Sequence, residues 1–204
     1  IALGTLRMGA GDMTVLDALA IAYTGSKENK APLEKAYNIC PDVGIIAETI
    51  AKKGLKGIEK IDVLVGRPIK MMLAQRVDSL AEVQEKIPGK LGVEAKYDGE
   101  RMQVHKSKDK ITIFSRRMED ITEQYPEMIK YLEEYVSGKE YIIEGEILAI
   151  DKEGKPLPFQ ILMQRKRKID IEEYVKKVPV QLKLFDLLYY NGKSFLHEGY
   201  EERT

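Results

Sequence analysis

Within six residues, Lys96-Tyr97-Asp98-Gly99-Glu100-Arg101 brings together a lysine, an acid, a glycine and an arginine in the pattern KxDGxR. A lysine amine is protonated at neutral pH. It becomes a nucleophile only where desolvation or neighbouring positive charge lowers its pKa. Arg101, past the glycine, can supply that charge and can also clamp a phosphate. The chemistry these residues suggest is covalent catalysis at a phosphate. Asp-Gly is equally a two-residue hairpin turn. On that alternative, residues 91–97 and 101–107 form an ordinary hairpin and the lysine is incidental.

Other residue types collect around this one. In an extended 91–97 run, side chains two apart share a face, so Glu94 and Lys96 point the same way. An acid there would raise the lysine's pKa rather than lower it. Glu94 is therefore a substrate contact, accepting from an amino group of a base, or else a surface partner of Lys96. The run at 140–151 places Glu144, Glu146, Leu148 and Ile150 on one face. Its apolar surroundings bury Glu146 close to the core, where a carboxylate holds a divalent cation or a sugar hydroxyl, or serves as a paired structural acid. Glu144 is the weaker candidate. Arg116 ends another strand and either reaches into a cleft to bind a phosphate or is simply solvated. Phe185 shares a face with Lys183 and Leu187, and either stacks on a base or packs in the core. Gln164-Arg165-Lys166-Arg167-Lys168 is a basic run that either follows a nucleic-acid backbone or forms a solvated face.

These residues have to be held by elements, and the chain changes texture along its length. Residues 1–67 read as helical. Thr14-Val15-Leu16-Asp17 is a candidate capping box with Gly25 as the stop. Pro41-Asp42 opens a second helix carrying Val43, Ile46, Ala47, Ile50 and Ala51 at helical spacing, closed by Gly54. Gly66-Arg67-Pro68 marks a boundary, and Ser79 with Glu82 forms a second capping pattern. Strands are expected at 91–97, 101–107, 110–115, 140–151 and 180–190, with helices at 126–136 and 170–177 and a turn at Asn191-Gly192. Strands in hairpins with interspersed helices define a mainly antiparallel α+β domain.

Composition sets outer limits. The 204 residues suffice for one large or two small domains, each with a core. With 33 basic and 33 acidic residues the formal net charge is zero, so any nucleic-acid surface must be local. The single cysteine, Cys40, excludes an internal disulfide framework and fits a reducing cytoplasm. Charged residues, chiefly Lys and Glu, make up 32% of the chain, a composition compatible with a thermophilic source. No apolar run is long enough to span a bilayer, so no membrane partner is expected.

The order of motifs resembles the ATP-dependent DNA ligases, particularly those of archaeal type, within the covalent nucleotidyltransferase superfamily. VEAKYDGERMQVHK (93–106) looks like the nucleotidyl-lysine motif. FSRRMEDIT (114–122), IIEGEILAID (142–151) and LFDLLYYNG (184–192) look like the motifs that follow it, in family order. GRPIKMMLAQ (66–75) and FQILMQRKRK (159–168) also resemble ligase segments. The resemblance implies the end of a helical DNA-binding domain at 1–67, followed at 68–204 by part of an adenylation domain. It implies that Lys96 attacks the α-phosphorus of ATP and holds AMP, that Glu94 recognises the adenine amino group and that Phe185 stacks on the ring. Glu146 would bind the ribose or a divalent metal such as Mg²⁺, and Arg101 and Arg116 the nucleotide or the DNA 5′-phosphate. Nicked duplex DNA is the implied partner, with a sliding clamp a candidate in a longer parent. The family's later glutamate motif, its closing lysine pair and its OB-fold would lie beyond Thr204, so the 204-residue chain is expected not to seal nicks alone. An RNA ligase, a GTP-using capping enzyme, NAD⁺ as donor, or a non-catalytic nucleic-acid-binding module are the competing possibilities.

Overall fold

The structure is a computed structural model that describes residues 11–166 and 171–204. The chain divides into two compact units, Ile1–Met71 and Met72–Thr204. The division falls a little past the expected 67/68 boundary. Residues 68–71 stay with the first unit because Ile69 is buried, the Lys70 N–H donates to the Asn38 carbonyl at 2.9 Å, and the Lys70 ammonium sits over the Tyr37 ring.

In the first unit, α1 (Asp12–Thr24), α2 (Lys30–Ile39) and α3 (Val43–Ile58) enclose Leu16, Ala20, Leu33, Ala36, Tyr37, Ile46, Ile50 and Ile58. Each large side chain so buried contributes about 1.5–3 kcal/mol. The capping box expected at Thr14 does not form. Thr14 lies inside α1, whose start is set by Gly11, and Asp12 in the first turn accepts a hydrogen bond from the Tyr37 hydroxyl. Gly25 ends α1 in the left-handed region, as its position suggests. Asp42 caps α3 through the Ile45 N–H at 3.1 Å, and Gly54 breaks that helix at φ 61°. The helix α2 falls within the span read as helical, although it was not placed individually.

In the second unit, α4 (Leu80–Lys86) begins at Ser79, whose Oγ accepts the Glu82 N–H at 3.3 Å. The strands β1 (Glu100–Ser107), β2 (Lys110–Ser115), β3 (Glu140–Ala149), β4 (Val180–Tyr190) and β5 (Lys193–Ser194) form one antiparallel sheet in the order β2-β1-β3-β4-β5. The expected α+β class and antiparallel sheet are therefore present. One sheet face carries Met102, Val104, Ile113, Tyr141, Ile143, Ile147 and Val180. It is packed by Met128 and Leu132 of α5 (Pro126–Tyr135) and by Leu162 at the end of α6 (Phe159–Leu162). The helix α7 (Ile171–Lys177) leads into β4, whose far end turns at Asn191-Gly192 with φ of 45° and 94°. Such paired positive φ values suit a two-residue hairpin.

The strand expected at 91–97 is absent. Residues 90–98 carry no regular structure, and Val93, Glu94 and Lys96 are exposed. The register explains why. β1 is hydrogen-bonded to β2 on one side and to β3 on the other, leaving no side free for a hairpin through Asp98-Gly99.

Candidate active site

The polar face of the sheet opposes the packed one, and alternation along β1 supplies it with Arg101, Gln103 and His105. In register, Arg101 lies opposite Glu146 and Gln103 opposite Glu144. The side chains pair otherwise. Glu144, 4% exposed, takes Arg101 in a diagonal ion pair and accepts from Gln103 Nε2 at 2.7 Å. Gln103 Oε1 in turn meets His105 Nε2 at 2.8 Å, and His105 stands edge-on to Phe114 at 5.0 Å. Burial pushes His105 from 6.5 down to about 4, so it is neutral near pH 7.

Glu146, freed from Arg101, accepts the Gly99 N–H at 3.2 Å. Gly99 is needed for close approach: a Cβ there would lie 2.2 Å from the Ile147 carbonyl oxygen and 2.9 Å from Glu146 Cγ. Burial raises the Glu146 pKa. The Gly99 hydrogen bond and the charges of Lys96 and Arg101 oppose the rise, and Asp98 adds to it. Glu146 is thus within electrostatic reach of Lys96 and Arg101 together. Lys96 itself is exposed and donates to the Tyr97 carbonyl at 3.4 Å.

Across β3, two irregularities in the pairing with β4 skip Leu188 and Phe185. A bulge inserts an unpaired residue and breaks alternation. The expected grouping of Lys183, Phe185 and Leu187 on one face is therefore corrected: Leu187 packs against the core, and Asp186 lies opposite Glu144. The Arg101 guanidinium stacks over the Phe185 ring at 4.6 Å, which places Phe185 at the polar face. Asp186 is raised by burial, which Arg203 opposes from 3.5 Å away.

Glu94 is not paired with Lys96. It takes a side-chain hydrogen bond from Tyr200, which raises the tyrosine's pKa. Arg116 is exposed one residue beyond β2; Ser115 is in register with Met102, so Arg116 lies at the same end of the sheet as Arg101. The basic run at 164–168 is corrected in part. Arg165 is 2% exposed, paired with Glu127 at 2.5 Å and set over the Tyr125 ring, so it faces inward rather than toward a solvated or nucleic-acid surface. Arg167 and Lys168 lie outside the described residues.

Lys96, Glu94, Arg101, Glu146 and Phe185 are therefore carried by neighbouring segments at one end of the sheet. Sequence reasoning did not single out Gln103, His105, Asp186, Tyr200 or Arg203. The period-two polar pattern Arg101-Gln103-His105 was a usable signal for the first two; Tyr200 had none.

An antiparallel α+β sheet with a lysine, an arginine and two carboxylates at one end defines a domain equipped to handle an anionic ligand. Residues 71–204 match the ATP dependent DNA ligase domain, and the chain belongs to that family. It is 50% identical over 201 residues to the DNA ligase of Saccharolobus solfataricus, covering 98% of this chain and 33% of that protein. It is 46% identical over 210 residues to DNA ligase 1 of Methanosarcina acetivorans, covering 100% of this chain and 36% of that one. The ligase domain of M. tuberculosis LigD is 27% identical with a TM-score of 0.43, over 54% of this chain and 33% of that chain. The chain spans about a third of the length of the curated relatives it matches. Among the described residues no helix is long and apolar enough to cross a membrane.

Proposed function

We propose that this chain carries the lysine-centred nucleotidyl-transfer site of an ATP-dependent DNA ligase that seals 3′-hydroxyl/5′-phosphate nicks in duplex DNA. The observation that carries this is the joint placement of Lys96, Arg101 and Glu146 around Gly99, in a chain that belongs to the ligase family.

The Lys96 amine, having lost its proton, attacks the α-phosphorus of ATP. A P–N bond forms, the bond to the β-phosphate bridging oxygen breaks, and pyrophosphate leaves. AMP then passes to the 5′-phosphate of the nick, and attack by the 3′-hydroxyl releases it. Glu94 recognises the adenine amino group, and the Phe185 ring stacks on the base. Arg101, oriented by Glu144, and Arg116 contact nucleotide or 5′-phosphate oxygens.

Among the described residues no three carboxylate, histidine or cysteine side chains converge as a metal cage. The half-buried Glu146, with one oxygen on Gly99, would hold a ribose hydroxyl or a Mg²⁺ ion. Such an ion supplies charge neutralisation at the phosphates. The helical unit is the end of a DNA-binding domain in this account, and a sliding clamp is a partner of the full-length protein, acting in the cytoplasm. The test is nick sealing by the protein at its full natural length with ATP, GTP and NAD⁺ as alternative donors. Sealing is expected with ATP; sealing with GTP or NAD⁺ in its place, or none with any donor, would contradict the proposal.

A further inference from the structure

The segment that carries Glu94 and Lys96 has no sheet pairing, yet it approaches the short helix α8 (Tyr200–Arg203) at three successive alternate residues. The Lys90 ammonium pairs with the Glu201 carboxylate. Gly92 lies under the Tyr200 ring so closely that a Cβ would be 2.6 Å from Cε1 and 2.8 Å from Cδ1. Glu94 accepts from the Tyr200 hydroxyl. Contacts at 90, 92 and 94 follow the period of an extended chain, whose side chains on one face recur every second residue. The helix thus takes the place of a neighbouring strand for this segment. It is itself held from behind, because Arg203 reaches Asp186 of β4 at 3.5 Å, both side chains being largely buried, and Asp186 lies opposite Glu144, the partner of Arg101.

We propose that Tyr200 is a positioning residue for base recognition: its hydroxyl holds one oxygen of Glu94 and leaves the other directed to the amino group of the nucleotide base, while its ring seats the Gly92 backbone. An exposed glutamate otherwise samples several rotamers, and fixing one of them turns a flexible acceptor into a selective one. The inference rests on the proposed role of Glu94.

The test compares covalent self-labelling of the protein at full natural length by ATP and by inosine triphosphate, which has a carbonyl oxygen in place of the amino group. Glu94→Gln is expected to lower the ATP-over-inosine preference. Tyr200→Phe keeps the ring and should lower the same preference by about fivefold, the scale of one hydrogen bond. Gly92→Ala, which displaces the ring without touching the hydroxyl, should do likewise. The double variant Glu94→Gln/Tyr200→Phe should fall no further than Glu94→Gln alone, since the two act as one unit. If Glu94→Gln lowers the preference but Tyr200→Phe and Gly92→Ala leave it unchanged, the positioning role is overturned and base recognition by Glu94 stands. If Glu94→Gln leaves it unchanged, the role of Glu94 falls and the positioning role falls with it.

Discussion

Arg101 and Glu144 form an ion pair that runs diagonally across β1 and β3, bypassing the register partner Glu146 and leaving that carboxylate to the Gly99 N–H. One buried acid thereby orients the arginine while a second, half-buried acid closes the turn after the lysine. The same guanidinium covers Phe185. Arg101, Phe185 and Glu146 thus depend on a residue, Glu144, that is itself withdrawn from solvent.

Removing Glu144 should therefore harm both stability and chemistry. Glu144→Ala removes the carboxylate that pairs with the Arg101 charge and is expected to cost about 2–3 kcal/mol, less than a fully enclosed pair because Arg101 is partly exposed. Glu144→Gln, which keeps one acceptor, should cost less. Urea denaturation of the two variants checks the order; equal midpoints for Glu144→Ala and wild type would refute it.

Gly99→Ala should be damaging for a different reason. The added carbon meets the Ile147 carbonyl oxygen at 2.2 Å, and backbone of a central strand cannot move aside as a side-chain end can. A cost of about 2–3 kcal/mol is expected, with self-labelling reduced at least about tenfold because the turn carrying Lys96 is displaced. Thermal denaturation and labelling rate, measured together, test this; an unchanged labelling rate would show that the turn does not set the lysine.

Acid should weaken the fold through His105. Its folded pKa of about 4 lies below its ordinary 6.5, so the unfolded chain binds the proton first. The stability that depends on neutral His105 is present in full above about pH 6.5 and lost as pH falls toward 4, amounting to about 2–3 kcal/mol between about pH 7 and about pH 4.5. Glu146 and Asp186, both raised by burial, act in the opposite sense, because the folded state protonates them first. The difference between wild type and His105→Gln isolates the histidine. Stability of the variant should decline less with acid, and parallel curves would remove His105 as the cause.

Much of the second unit could be read from residue order because its strands obey simple alternation. β2 and β4 begin and end where the apolar pattern does, and Asn191-Gly192 makes the turn its residue types favour. Residues 91–97 misled for the same reason: Val93, Ala95 and Tyr97 alternate like a strand, but pairing depends on a free neighbour, and both sides of β1 are taken. Leu187 left the face it was expected to share with Lys183 and Phe185, and Asp186 joined that face, because a bulge is a property of two strands together. Arg165 looked like surface because its partners, Glu127 and Tyr125, come from a distant segment. Glu94 and Tyr200 illustrate the same limit at the site: nothing local to either residue announces the other.

The most direct measurement is incubation of the protein at full natural length with α-phosphate-labelled ATP and Mg²⁺, followed by denaturing electrophoresis, with Lys96→Ala alongside. Label that survives denaturation on the wild type and is lost in the variant is the predicted result. A folded wild type that takes no label, or a Lys96→Ala variant that labels equally well, would contradict the lysine-centred account.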